Sequence, residues 1–244
     1  MIIPNKDHTE DLDKCIRSIE EKGTYKNIEY IVIENNSEKK ETFAYYEKLQ
    51  AENPKVKVVF WEREFNYSAI NNYGVGFAKG EYLLFLNNDT EIINPDCIEE
   101  LLGYCMRDDV GIVGARLYYE DDTIQHVGVI IGLGGVAGHT FVGEPKDSLG
   151  YFGRIVTAQD YSAVTAACLM TKRKVFEKVN GFEEKLAVAF NDVDFCLKVR
   201  EAGYLVVYNP YAELHHYESK SRGLEDTEEK VLRFQGEIRT FQYR

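Results

Sequence analysis

The sequence predicts an α/β fold with a mostly parallel central sheet, helices on both faces and a smaller antiparallel excursion. Two observations carry this. Up to about Cys105, short apolar runs alternate with amphipathic stretches through short connections, which is the pattern of a parallel sheet covered on both sides. Over residues 111–161 that rhythm gives way to glycine-rich sequence with brief β runs, which reads as antiparallel pairing.

Ile2 and Ile3 read as the tail of a strand, and so abrupt a start suggests a domain excised from a longer chain. Leu12, Cys15, Ile16 and Ile19 then recur at i, i+3, i+4 and i+7. Acidic residues fill the first turn after Thr9, and Gly23 stops the helix. Residues 28–33 are almost continuously apolar, as in a strand buried on both faces. A helix over 41–51 closes at Pro54, followed by strand 56–61, helix 68–79 and strand 82–86. Pro95 is expected as the first residue of a helix that turns Ile98, Leu101, Leu102 and Cys105 to one face. The excursion holds β runs at 112–115 and 127–131. Beyond it the spacing predicts strand 164–170, helix 172–179, helix 190–202 ended by Gly203, and strand 204–208. Residues 225–243 read as a charged helix whose stripe of Val231, Leu232, Phe234 and Ile238 is too narrow for extensive packing.

A chain of 244 residues with 44% hydrophobic content suits one large domain with a sizeable core. Its net charge of -12, from 41 acidic against 29 basic residues, argues against a nucleic-acid partner, which would need a concentrated basic footprint. Handling a diphosphate on so acidic a protein calls for a metal ion or a few placed basic groups. Cys15, Cys97, Cys105, Cys168 and Cys196 form no CxxC pair and are odd in number, so buried reduced thiols and a cytoplasmic setting are expected. No stretch approaches the roughly 18 apolar residues of a membrane span, and no signal peptide is present.

Ligands of such sheets bind beyond the carboxyl ends of the strands, near the switch in strand order. Glu34 and Asn87-Asn88-Asp89 stand at two such ends. The latter run is either an Asx turn or a hard-cation site. Asp192 and Asp194 open a helix, where acids complement the macrodipole, but one of them is also well placed as a general base. They point to different faces, so at most one belongs to a site. His215-His216, followed by Lys220, Ser221 and Arg222, is either a solvated loop or a metal ligand beside phosphate-gripping groups. His8, His126 and His139 have no acid, thiol or histidine partner at ligand spacing and receive no role. Glycine-rich residues 132–138 lack the Lys-Ser/Thr of a phosphate loop, and no Gly-x-Ser-x-Gly elbow is present.

Together these pieces resemble the family-2 glycosyltransferases with the GT-A fold, from Ile2 to about Gly223. The carrying stretches are Ile-Ile-Pro-Asn-Lys-Asp (2–7), Ile-Val-Ile-Glu-Asn-Asn-Ser (31–37) and Phe-Asn-Tyr-Ser-Ala-Ile-Asn-Asn (65–72). Gly-Glu-Tyr-Leu-Leu-Phe-Leu-Asn-Asn-Asp-Thr (80–90), Asn-Gly-Phe-Glu-Glu (180–184) and Asn-Asp-Val-Asp-Phe-Cys-Leu (191–197) complete them. The subgroup most similar builds bacterial surface polysaccharides, including rhamnose-containing ones, often within larger multidomain transferases.

The resemblance implies inverting transfer from a UDP- or dTDP-linked sugar to a saccharide or lipid-linked saccharide acceptor, with Mn or Mg as cofactor. It implies a catalytic domain over 1–224 and a C-terminal helix over 225–244 leading to a further module, with peripheral association at the inner face of the membrane. Pro4 and Asn5 would line the nucleotide cleft and Glu34 would receive the pyrimidine N–H, with Asn66, Asn71 and Asn88 also on the donor. Asp89 corresponds to the last acid of the metal motif DxD, Asp192 to the catalytic base and His216 to a late histidine ligand. Lys220 and Arg222 would lie in a loop that closes over the donor. The sequence departs from the pattern at Asn87, where the first DxD acid is lost, at Asn191, where many relatives have Glu, and at Glu34, where Asp is more usual. His215 and His216 could exchange roles. A non-catalytic nucleotide-sugar or carbohydrate-binding module is the rival reading, and Asn87 and Asn191 are its support.

Overall fold

Residues 1–217 and 227–243 are described by the computed structural model. In chain order they form β1 (Ile2–Asn5), α1 (Thr9–Lys22), β2 (Tyr30–Glu34), α2 (Lys40–Glu52), β3 (Val56–Phe60), α3 (Tyr67–Val75), β4 (Tyr82–Leu86), β5 (Thr90–Ile92) and α4 (Cys97–Cys105). Then come β6 (Val110–Tyr118), β7 (Ile124–His126), β8 (Val129–Ile131), β9 (Ala137–His139), β10 (Gln159–Asp160), β11 (Cys168–Lys172), α5 (Arg173–Lys178), α6 (Asn191–Glu201), β12 (Leu205–His216) and α7 (Glu228–Gln242).

The main sheet has ten strands in the order β10-β12-β6-β11-β4-β1-β2-β3, with β5 on β12 and β7 on β6. β4, β1, β2 and β3 run parallel, so their carboxyl ends share one rim. The chain steps outward from β1 to β3 and then returns to the other side of β1 with β4, which makes the β1–β4 boundary the switch point. β2 is buried along its whole length. Its residues alternate between two cores: Tyr30 and Val32 face the α1, α2 and α4 side, Ile31 and Ile33 the α3, α5 and α6 side. The expected two-sided burial is thus present.

Three sequence expectations need correction. β6 is a nine-residue strand inside the main sheet, parallel to β12 and antiparallel to β11, and not part of a separate excursion. Among the described residues only the β8–β9 hairpin forms a second sheet. The strand expected at 164–170 is confined to Cys168–Lys172, and the residues before it turn toward α6. Pro95 precedes the N-cap Asp96 and is not the first residue of α4.

α5 ends in two consecutive left-handed residues, Asn180 (φ 59°) and Gly181 (φ 60°). A Cβ on Gly181 would stand 2.6 Å from Asn72 Oδ1 and 2.7 Å from the Phe176 ring, so only glycine fits. Phe182 follows and joins Phe85, Phe176 and Phe195 in an aromatic cluster under α6. The five cysteines are free and buried. No helix among the described residues is long and apolar enough to cross a membrane.

The C-terminal helix is present, but it docks by only part of the expected stripe. Val231 and Leu232 are exposed. Packing comes from Phe234 and Phe241, whose rings flank Phe190 at centroid distances of 5.5 and 5.4 Å, and from Glu237, which is buried.

Candidate active site

The rim of the parallel strands gathers the predicted residues. β4 ends at Leu86, and the turn after it carries Asn87, Asn88 and Asp89, the last two buried. β12 runs past β6 and then pairs antiparallel with β5, setting His216 opposite Thr90. This register brings His216 Nε2 to 3.3 Å from Asp89 Oδ1 and 3.1 Å from Asn87 Nδ2. The other ring nitrogen, Nδ1, lies 2.6 Å from Gln125 Oε1, so it carries the proton and donates, leaving the Nε2 lone pair toward the acid.

The pair suits a hard divalent cation. Two ligands at about 2.1 Å and at right angles on one octahedral ion are about 3.0 Å apart, close to the observed separation. Among the described residues no group of three or more His, Cys, Asp or Glu could hold a metal ion alone. His215 stands apart from the pair: its Nε2 lies 2.8 Å from Asp122 Oδ1. Behind the pair, Lys22, Lys14 and Tyr217 overcome the upward push of burial and hold Glu91 down to about 2. That ion cluster fastens the end of β12. Cys15, beside Thr90, is pushed up to about 12 by burial and stays a thiol.

Asp192 lies in the first turn of α6, half-buried, with Oδ2 accepting the Ala166 amide at 3.1 Å and Oδ1 the Val193 amide at 2.8 Å. Asp194 faces elsewhere, buried 3.7 Å from Lys198. Tyr67 feels the charge of both acids, and its hydroxyl donates to Ala166 O at 3.0 Å. Burial first, then the charge of Asp192 and, to a lesser degree, that of Asp89 raise its pKa. Asn191, next to Asp192, donates from Nδ2 to Val188 O at 3.0 Å and so braces the preceding turn. The turn is strained at Phe190 (φ 60°), a conformation that costs a bulky residue about 1–3 kcal/mol.

The remaining donor-site expectations are placed as follows. Pro4 and Asn5 end β1. Asn5 is buried, donating to the Tyr46 hydroxyl at 2.7 Å and accepting from Asn88 Nδ2 at 2.5 Å. Glu34 is buried too, with its carboxylate taken by the Ser37 amide, the Ser37 hydroxyl and the Tyr46 hydroxyl. Asn66 is the N-cap of α3 and also donates to Glu184 O. Asn71 is fully buried, donating to Tyr67 O while its Oδ1 has no hydrogen-bond partner. Asn5 and Asn88 thus join β1 to the turn after β4, Asn66 joins α3 to the segment before α6, and Asn71 bonds within α3. Lys220 and Arg222 lie outside the described residues.

Sequence reasoning missed Tyr67, Gln125 and His126. The fold contradicts the absence of a partner for His126. Its Nδ1 lies 3.1 Å from His139 Nδ1, and its Nε2 accepts the Thr165 amide at 3.3 Å, one residue before the amide that binds Asp192. Hence Nδ1–H donates to His139. Burial, then His139 and His216, push the His126 pKa well down. His8 also has a partner, Asp11, at 3.3 Å. The one available signal was the placement of Gln125-His126 inside an apolar β run.

Known proteins share this sequence pattern and this fold. The model of glycosyl transferase family 2 matches residues 1–179. The chain is 48% identical over 239 residues to the uncharacterized protein y4gI of Sinorhizobium fredii, covering 98% of this chain and 26% of that one. It is 38% identical over 223 residues to the O-antigen biosynthesis protein RfbC of Myxococcus xanthus, covering 91% of this chain and 17% of that one. The chain thus spans about a quarter or less of these curated relatives. Among solved structures, the mannosyltransferase PcManGT of Pyrobaculum calidifontis, in complex with GDP-Man and Mn2+, superimposes with a TM-score of 0.66 at 14% identity. That match covers 91% of this chain and 56% of that one. The GT-A fold is shared.

Proposed function

The chain belongs to glycosyl transferase family 2, and on that footing we propose that it moves a sugar from a UDP- or dTDP-linked donor to a saccharide or lipid-linked saccharide acceptor. The transfer inverts the anomeric carbon and serves bacterial cell-surface polysaccharide synthesis, in the cytoplasm at the inner face of the membrane. The observation that carries this reading is the approach of His216 Nε2 to Asp89 Oδ1 at the strand-end rim, with Asp192 across the cleft beside Tyr67. The mannosyltransferase complex with GDP-Man and Mn2+ supports a nucleotide-sugar donor beside a divalent cation, and the O-antigen relative supports the setting.

In this reading Asp192 takes the proton of an acceptor hydroxyl. The acceptor oxygen bonds to the anomeric carbon from the face opposite the diphosphate, whose bond to that carbon breaks. The transition state is oxocarbenium-like. Two backbone amides aim the Asp192 carboxylate, and Tyr67 lines the wall between base and cation site. Asp89 and His216 would hold Mn or Mg, which when bound offsets the charge on the departing diphosphate. Lys220 and Arg222 are assigned to the same phosphates. Pro4, Asn5 and Asn88 form the nucleotide wall, with Asn66 and Asn71 bracing it. Glu34 meets the base with the lone pair that Ser37 and Tyr46 leave. Residues 1–224 are assigned to the catalytic domain, on which α7 docks, and 225–244 would lead toward a further module, in keeping with the much longer relatives.

The test is incubation with Mn2+ and a panel of UDP-, dTDP- and GDP-sugars. Release of nucleoside diphosphate from one of them is expected. Binding without turnover would make the chain a non-catalytic module.

A further inference from the structure

The turn that delivers Asp192 is tied from two sides. On one side α3 takes it: the Tyr67 amide donates to Ala187 O at 2.7 Å and the Ser68 hydroxyl to Leu186 O at 2.6 Å. On the other side stands α7. Glu237 accepts the Val188 amide at 2.8 Å on Oε1 and the Ala189 amide at 3.1 Å on Oε2. Phe234 and Phe241 flank the ring of Phe190, the left-handed residue on which α6 begins.

Phe234, Glu237 and Phe241 are spaced three and four apart, so they share one face of α7. A carboxylate at the centre of that face is a costly choice for packing alone, because burial removes its hydration. Its two oxygens instead match two adjacent peptide N–H groups, with Arg233 Nε at 3.8 Å. The amides it satisfies belong to the residues immediately before the strained Phe190, and Asp192 follows two residues later.

We propose that α7 is a positioning element for the catalytic base. Through the Val188 and Ala189 amides and the Phe190 ring, Glu237, Phe234 and Phe241 hold the left-handed turn that aims Asp192 at the acceptor hydroxyl. This rests on the reading of Asp192 as the base. Glu237 touches neither donor nor acceptor, so it acts on the chemical step and not on donor binding.

The experiment compares Glu237→Ala, Glu237→Gln and Phe241→Leu in the full chain, using the nucleotide sugar from the panel that the parent turns over with Mn2+. Turnover in Glu237→Ala should fall roughly 10- to 100-fold, the scale of a misplaced reacting group. The Mn2+-dependent dissociation constant of the matching nucleoside diphosphate should stay within about twofold of the parent's, as expected when only chemistry is disturbed. Glu237→Gln keeps an amide-accepting oxygen and should recover part of the rate. Phe241→Leu keeps an apolar contact, so it guards against misfolding, and it should show a smaller loss of the same kind. Parent-level turnover in Glu237→Ala, or equal loss of turnover and diphosphate affinity in both Glu237→Ala and Phe241→Leu, overturns the proposal. Asp192→Asn is run alongside. If it keeps full turnover, the base reading falls and takes this inference with it. If Asp192→Asn is inactive while Glu237→Ala is fully active, only the positioning role falls.

Discussion

His216 Nε2 lies 3.3 Å from Asp89 Oδ1, and the antiparallel register of β12 on β5 puts it there. The acid and the imidazole come from distant parts of the chain, and Gln125 from a third part fixes the tautomer. Asp89→Asn should therefore abolish Mn2+-dependent binding of a nucleoside diphosphate, since it removes the site's carboxylate while leaving the shape almost unchanged. Gln125→Ala should weaken the same binding by about 10-fold, as loss of a partner behind a metal-binding histidine does. Titration calorimetry with UDP, with and without Mn2+, reads both. Unchanged affinity in Asp89→Asn would place the cation elsewhere.

Asp192→Asn should lower transfer by roughly 10²-fold or more, the scale of losing a general base, with donor affinity nearly intact. Equal loss of donor binding would make Asp192 a binding residue. Asp194→Asn is no silent control, because Asp194 is buried beside Lys198. It should lower the thermal midpoint and leave transfer much closer to the parent's.

His126 should make the protein acid-sensitive. Its folded pKa is depressed, by burial and then by His139 and His216, against an ordinary value of 6.5. Below 6.5 the unfolded chain takes up a proton that the folded chain refuses. The associated stability is therefore fully present above 6.5 and lost as pH falls from there toward the folded value. Thermal midpoints between about pH 7.5 and 5 should drop more steeply in the parent than in His126→Gln, which still offers the Thr165 amide an oxygen. Parallel curves would refute the account.

The strands and helices that frame the rim were legible because their signals are local. The apolar run over β2, the i, i+3, i+4, i+7 pattern of α1 and the strand before Asn87 each state their own structure. Asp89, Asp192 and Glu34 could be singled out by their positions at strand ends and a helix start. What stayed hidden depends on pairing across the chain. Nothing near His126 announces His139, because the β8–β9 hairpin makes the contact. Glu237 looked like one more charge on a solvated helix, because the amides that it satisfies belong to a turn far upstream. Of the long β6 only the run at 112–115 was read as β, because the surrounding stretch is rich in glycine. In the fold a Cβ on Gly114 would strike the Val164 side chain at 2.4 Å, so that glycine serves close packing.

Gly181→Ala tests the backbone that leads from α5 to the aromatic cluster. The new methyl would meet Asn72 Oδ1 and the Phe176 ring in a left-handed conformation. A loss of more than about 1 kcal/mol is expected, read as a lower denaturation midpoint. A midpoint equal to the parent's would mean that α5 and α3 yield easily.

The irregularity in β12 between Asn209 and Glu213 governs which side chain reaches the cation site. Side chains alternate along a strand, and slipping by one residue turns each to the opposite face. If the pairing of residues 205–209 with β6 is kept, one residue inserted at the bulge would move His215 into the place opposite Thr90. One residue deleted there would move Tyr217 into it. The insertion still offers an imidazole and the deletion offers a phenol. The histidine doublet thus gives this strand a one-sided tolerance to length change: growth by one residue spares the ligand chemistry, and shrinkage by one removes it.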